Sequence, residues 1–160
     1  MKLILVGLSL TLLLILGGVF LVSKTNNKAS LAGGQNTQVS VDKTSFDWGT
    51  IGINDGKVKA EFDLKNSGTA PLELANVSTS CMCTTAQVVI EGKASPYFGM
   101  HQKSSWTGQV EPGKSAQLIV EFDPLFHGPQ GVGQITRQIV VETNDPGQKQ
   151  LTFNLTAEVI

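Results

Sequence analysis

The alternation of apolar and polar positions divides the chain into three parts. The first is "LILVGLSLTLLLILGGVFLV", residues 3–22, which carries no charge. Twenty helical residues at ~1.5 Å each cover ~30 Å, the thickness of a bilayer's hydrocarbon core. Residues 1–23 therefore read as a transmembrane signal anchor, with whatever follows on the extracytoplasmic side of a cell membrane. The small-residue stretch "SLA" at 30–32 lies well beyond the apolar run, which favours an uncleaved anchor while leaving cleavage open. Residues 24–37, "KTNNKASLAGGQNT", have no apolar period and read as a flexible linker. The third part, 38–160, has the pattern of a folded domain.

Within that domain the period is two. "KVKAEFDL" places Val58, Ala60, Phe62 and Leu64 on one face, with Lys57, Lys59, Glu61 and Asp63 on the other, as in a half-buried antiparallel strand. After the turn "KNSGTAP", "LELANVST" continues the alternation, and the two segments read as a hairpin. "TAQVVI", "SAQLIVEF", "TRQIVVET" and "KQLTFNLTAEV" follow the same rule, with "EPGK", "FDPLFHGPQGVGQ" and "NDPGQ" as connections. No segment has the period of a soluble helix. About seven or eight short strands with turns between them predict an all-β, immunoglobulin-like antiparallel β-sandwich, with a closed barrel as the alternative architecture.

The elements "FDWGT", "KNSG", "TSCMCT", "EPGK" before "VEFDP", and "TNDP" occur in that order. Together they resemble the bacterial Ig-like domains grouped as domain-of-unknown-function family 1573. The resemblance covers roughly residues 40–159 and implies a sandwich related to major sperm protein and the pilus chaperones, outside the cytoplasm. It implies no activity. The chain departs from the family pattern at Met82, where a glycine is common between the cysteines, and in the long connection 91–109.

Charge and motifs remove several functional classes. The formal net charge is −1, so no basic face recommends a nucleic acid. No phosphate-binding glycine loop, nucleophile elbow or H-E-x-x-H zinc motif occurs, and the chain reads as non-catalytic unless its cysteines exchange disulfides. Asp47, Asp123 and Asp145 sit in turn contexts, where aspartate serves the backbone. The partners expected are the membrane, through residues 1–23, and another protein at the cell surface.

The two cysteines, Cys81 and Cys83, stand one residue apart in "TSCMCTT". In a regular strand their Cα atoms would be ~6.5 Å apart, so a disulfide requires a bend. Outside the cytoplasm a structural disulfide is the default. Buried thiols, thiol exchange and a soft-metal pair are the alternatives. No resident cofactor is expected; copper is the ion that Cys81, Cys83, Met100, His101 and His127 would suit together.

A second set of residues lies on two long loops: Tyr97, Phe98, Met100, His101 and Trp106 on one, Phe126 and His127 on the other. They read as loop caps, as a binding surface, or as metal ligands through Met100, His101 and His127. If strands alternate in direction with 105–110 counted as one, these loops share one end of the sandwich, and the cysteines share the other with "EPGK" and "NDPG". A count wrong by one strand would instead carry His127 to the cysteines.

Overall fold

A computed structural model describes residues 28–100, 102 and 104–160. The expected anchor at 1–23, the start of the linker and His101 lie outside the described residues. Among the described residues no helix is long and apolar enough to cross a membrane.

Two five-stranded sheets face each other. One has the order β1 (Val39–Val41), β3 (Val58–Asn66), β8 (Ser115–Phe122), β5 (Thr84–Ile90), β6 (Lys93–Ala94); the other has β2 (Ser45–Ile51), β10 (Gln150–Val159), β9 (Gly133–Thr143), β4 (Leu72–Thr79), β7 (Thr107–Val110). The sandwich architecture is as expected, with ten strands rather than seven or eight. The additional ones include β1 and β6, which are too short to show an alternation. All pairings are antiparallel except that of β2 with β10.

Alternation on both sheets builds one core. Phe62, Leu64, Leu118, Val120 and Val88 from the first sheet meet Leu72, Leu74, Ile139, Val141, Phe153 and Leu155 from the second. Phe62 and Phe153 touch across the gap with ring centroids 4.7 Å apart. Full burial of such side chains contributes ~1.5–3 kcal/mol each. A smaller cluster, Ile51, Cys83, Phe122, Ile135, Ala157 and Val159, closes the lower end; "lower" denotes the end at which β4 finishes.

β3 and β4 do not form a hairpin. They lie in different sheets, and the turn between them crosses the top of the sandwich. Buried Asn66 fixes that crossing: its side-chain amide donates to the carbonyls of Ala70 (2.9 Å) and Val110 (2.8 Å), while its oxygen accepts from Gly68 N–H (3.0 Å). Gly68 passes so near the N-terminal segment that a Cβ there would stand 2.4 Å from the Asn36 carbonyl oxygen.

The expected direction count fails between β5 and β7. After β6 the chain runs back beside β5, and Phe98 and Ala86 exchange two backbone hydrogen bonds, 2.8 and 2.9 Å. This return acts as an uncounted antiparallel strand, so β5 and β7 point the same way and every later connection changes ends. "EPGK" and "NDPG" lie at the top, and the 123–132 loop lies at the bottom beside Cys83, whose carbonyl accepts from Asp123 N–H at 2.9 Å. Phe98 is buried against Trp106, with ring centroids 5.3 Å apart. Phe126 is not part of this packing; it is exposed at the lower end.

Residues 28–37, part of the expected linker, are hydrogen-bonded to the sandwich. The Asn76 side chain clasps Ala29, accepting from its N–H at 3.1 Å and donating to its carbonyl at 2.9 Å. Glu142 accepts from Lys28 Nζ (2.7 Å) and from Asn76 (2.8 Å). Burial opposes the Glu142 charge, but the Lys28 and Asn76 hydrogen bonds outweigh it and hold the carboxyl below its ordinary value.

Two outcomes follow. A Cβ at Gly108 would lie 2.5 Å from Trp106 Cη2 and 2.6 Å from Ile90 Cδ1. Gly108→Ala should therefore lower stability by ~1–3 kcal/mol, read as a lower urea midpoint, whereas an unchanged midpoint would show that the ring is not packed there. For Glu142, the folded-state pKa is depressed, so its contribution is complete above the unfolded value of ~4.3 and is lost as pH falls through the folded one. At this solvated position it amounts to at most ~1 kcal/mol. Glu142→Gln should flatten that part of the stability profile in pH-dependent melts without changing the rest.

Candidate functional site

Most of the residues that mark this sequence serve the backbone. The oxygens of Asp47, Asp123 and Asp145 accept from the N–H two residues on, Gly49, Leu125 and Gly147, at 2.8–3.0 Å. Asp145 also accepts from Val39 N–H at 2.8 Å, and Asn144 accepts from Glu73 N–H at 2.9 Å. "NSG", "EPGK" and "TNDP" are thereby consumed in closing the upper end. A shallow groove of about 920 Å³ between residues 28–34 and 142–150 contains no converging nucleophile or donor set.

The lower end is different. The chain leaves β4 at Thr79 and turns through 80–83 into β5. The Thr79 hydroxyl bridges the turn through the carbonyls of Cys81 (2.9 Å) and Thr84 (3.0 Å). The turn supplies the bend that a regular strand lacks: Cys81 and Cys83 have Cα atoms 5.3 Å apart and their sulfurs are bonded. Cys83 is 3% exposed and belongs to the lower core, whereas Cys81 is half-buried at its margin.

Each sulfur faces a nitrogen from a distant part of the chain. His127 Nε2 lies 3.3 Å from Cys81 Sγ. The Arg137 Nε–H donates to Cys83 Sγ at 3.1 Å, and the guanidinium lies over the Phe122 ring, 5.4 Å from its centroid. The three ligand atoms of Cys81, Cys83 and His127 are all within 4.8 Å of one another. His127 is thus beside the cysteines and not with the 91–106 loop. Met100 is exposed over β4 and β9, in a groove with Asn76, Ser78 and Val140. Tyr97 is exposed, and Phe98 and Trp106 are packing residues. Of the expected Met100, His101 and His127 ligand set, Met100 and His127 are not brought together, and His101 lies outside the described residues.

Arg137 is the residue that sequence reasoning missed. Along β9, Ile135, Arg137, Ile139, Val141 and Thr143 share the inward face. An arginine on that face is a conflict with the alternation, and the conflict was the readable signal. It is the sole arginine of the chain, and among the described residues no carboxylate lies within ion-pair distance of it. Burial pushes its guanidinium below the ordinary value, yet the group stays protonated at physiological pH. A fixed cation on Cys83 Sγ favours a thiolate there, and the imidazole beside Cys81 offers either a proton carrier or a ligand. Chemically the turn can thus accept electrons as a disulfide or present two thiolates and an imidazole when reduced.

The lower end also gathers apolar surface. Among the described residues seven large hydrophobic side chains are exposed, and five of them, Met82, Leu125, Phe126, Val132 and Ile160, are at this end.

Comparison with known proteins agrees with this architecture. A protein of unknown function from Porphyromonas gingivalis W83 is 24% identical and superposes with a TM-score of 0.59; the match covers 81% of this chain and 50% of that one, so the chain spans half the length of that protein. The PapD-like domain 7 of human CEP192 is 16% identical with a TM-score of 0.50, covering 86% of this chain and 96% of that domain. No curated protein matches the sequence. Residues 39–95 match the family described as protein of unknown function DUF1573, so the resemblance carried by the "FDWGT" to "TSCMCT" elements is borne out over that stretch.

Proposed function

We propose that the chain is a membrane-tethered, extracytoplasmic, non-catalytic binding module that holds a protein partner at its lower end. The observation that carries this reading is the concentration of exposed apolar side chains around the Cys81–Cys83 turn and the 123–132 loop, while the opposite end is closed by its own hydrogen bonds. Exposed apolar groups on paired loops of a rigid scaffold are a common form of protein-binding surface. The uncharged segment 3–22 supplies the tether. The partner is a protein at the cell surface with an apolar side chain to offer; neither nucleic acid nor a resident cofactor is part of this reading.

Thiol–disulfide exchange is the second reading, favoured by the guanidinium on Cys83 Sγ and the imidazole on Cys81 Sγ. The cysteines separate the two. A binding module keeps its partner when Cys81 and Cys83 are both changed to Ser, apart from any loss of stability; a redox protein loses activity.

The test places a photo-crosslinking amino acid at Phe126 or, as the control, at Lys114 on the upper end, in the full chain in its native membrane. A single adduct from position 126 that is absent from position 114, and that disappears in Leu125→Ser with Val132→Ser, is the expected result. Equal labelling from both ends, or none from 126, would remove the assignment. An adduct of twice the chain's mass would identify the partner as a second copy. Protease added outside sealed, wall-free cells should cut the domain; full protection would overturn the extracytoplasmic placement.

A further inference from the structure

We infer that the reduced Cys81–Cys83 pair, together with His127, binds one monovalent soft metal ion, Cu(I), and that oxidation of the pair expels it. The site is independent of the partner surface proposed above, although both occupy the lower end.

The donor geometry suits a single ion. Metal–thiolate bonds of ~2.3 Å and metal–imidazole bonds of ~2.0 Å set donors roughly 4 Å apart around a metal; the three donor atoms lie within 4.8 Å of one another while the two sulfurs are bonded, so reduction has only to let the sulfurs part for all three to surround one ion. Two thiolates with one imidazole form a soft set that prefers Cu(I) over hard cations. Cys83 anchors the site from inside the lower core, while Cys81 and His127 line its outer side, so an ion reaches the donors without disturbing the sandwich.

Charge selects the valence. Two thiolates, a neutral imidazole and Cu(I) sum to −1, and Arg137, 3.1 Å from Cys83 Sγ and without a carboxylate among the described residues, brings the cluster to zero. A divalent ion in the same place leaves the cluster, the half-buried guanidinium included, at +1. Zn(II) also takes a fourth ligand, which water would have to supply here, because no further Cys, His, Asp or Glu belongs to this donor group among the described residues.

The redox step balances with an external dithiol as reductant. Its thiolate attacks Cys81 Sγ, the more exposed sulfur; the Cys81–Cys83 bond breaks and Cys83 leaves as a thiolate next to Arg137. The second thiol of the reductant then displaces Cys81, so the reductant ends as a disulfide and the pair gains two electrons and two protons. Binding of Cu(I) releases those two protons, and reoxidation of the thiolates by a disulfide oxidant, which is itself reduced to two thiols, removes two of the three metal ligands at once and leaves the imidazole alone. The Thr79 hydroxyl lies within hydrogen-bond distance of the Cys81 and Thr84 carbonyls and donates its one proton between them, a tie on the turn that does not depend on the sulfurs.

The test uses the full chain in detergent, reduced by a dithiol that is then removed without air, and titrated with Cu(I) in competition with the chromophoric chelator bicinchoninate. The reduced chain should withdraw one Cu(I) and develop thiolate-to-copper absorption, and the oxidised chain should withdraw none. His127→Ala should weaken Cu(I) binding about tenfold or more, with an unchanged melting midpoint in the oxidised form because the ring is exposed. Arg137→Gln should lower the preference for Cu(I) over Zn(II), an effect that loss of a purely structural contact would not produce. Failure of the reduced chain to compete for copper, retention of copper by the Cys81→Ser, Cys83→Ser chain, or stronger binding of Zn(II) than of Cu(I) by the native chain would each overturn the assignment.

Discussion

The antiparallel exchange between Ala86 and Phe98 sets the direction in which the chain can leave β5. Two backbone hydrogen bonds and the burial of one phenylalanine turn residues 93–98 back along the sheet. Without that return, the 115–122 strand would enter from the other end, and the loop bearing His127 would emerge far from the cysteines. The chemistry of the lower end is therefore a consequence of main-chain pairing some thirty residues away from His127 in sequence, and side chains such as Trp106 serve it by holding Phe98 in place.

The long strands are legible because they present a run of alternating positions, as in Val58, Ala60, Phe62 and Leu64. That alternation is a local consequence of the pleat and needs no knowledge of partners. Sheet membership is not local. The turn after Asn66 looks like a hairpin connection, yet it crosses between sheets because the Asn66 amide reaches Val110 on the far strand. "KASPYF" hid the return along β5 since β6 is two residues long and Pro96 interrupts the pattern. Direction parity then failed at one step and moved a whole loop. His127 and the cysteines were each visible as chemistry; their meeting was visible only as the result of a wrong count. Arg137 is hidden among the apolar members of its strand, although the informative residue there is the one that breaks the alternation.

The two ends of the sandwich show how a family signature divides between folding and chemistry. At the top, Asn66, Asn144 and Asp145 satisfy backbone groups that the crossing turns would otherwise leave bare, and buried groups left bare are costly. These residues serve the geometry of the turns. At the bottom, the Thr79 hydroxyl performs the same service for the cysteine turn, but the sulfurs, the imidazole and the guanidinium have no comparable backbone duty beyond single contacts. A signature of five elements thus reduces to one that asks for a chemical explanation.

The lengths of the outermost strands carry one more implication. β1, β6 and β7 have three, two and four residues. The longer margin, β2, is kinked where Gly49 takes a positive φ of 69° and its register with β10 shifts; the indole N–H of Trp48 ties it back to the Lys59 carbonyl at 2.9 Å. A sandwich with such margins offers no long, flat ladder for another chain to extend, which is how β proteins avoid aggregating through their edges. Copies of the described domain that crowd together therefore meet no long ladder along which to zip, which leaves recognition to side chains, where a single substitution can tune it.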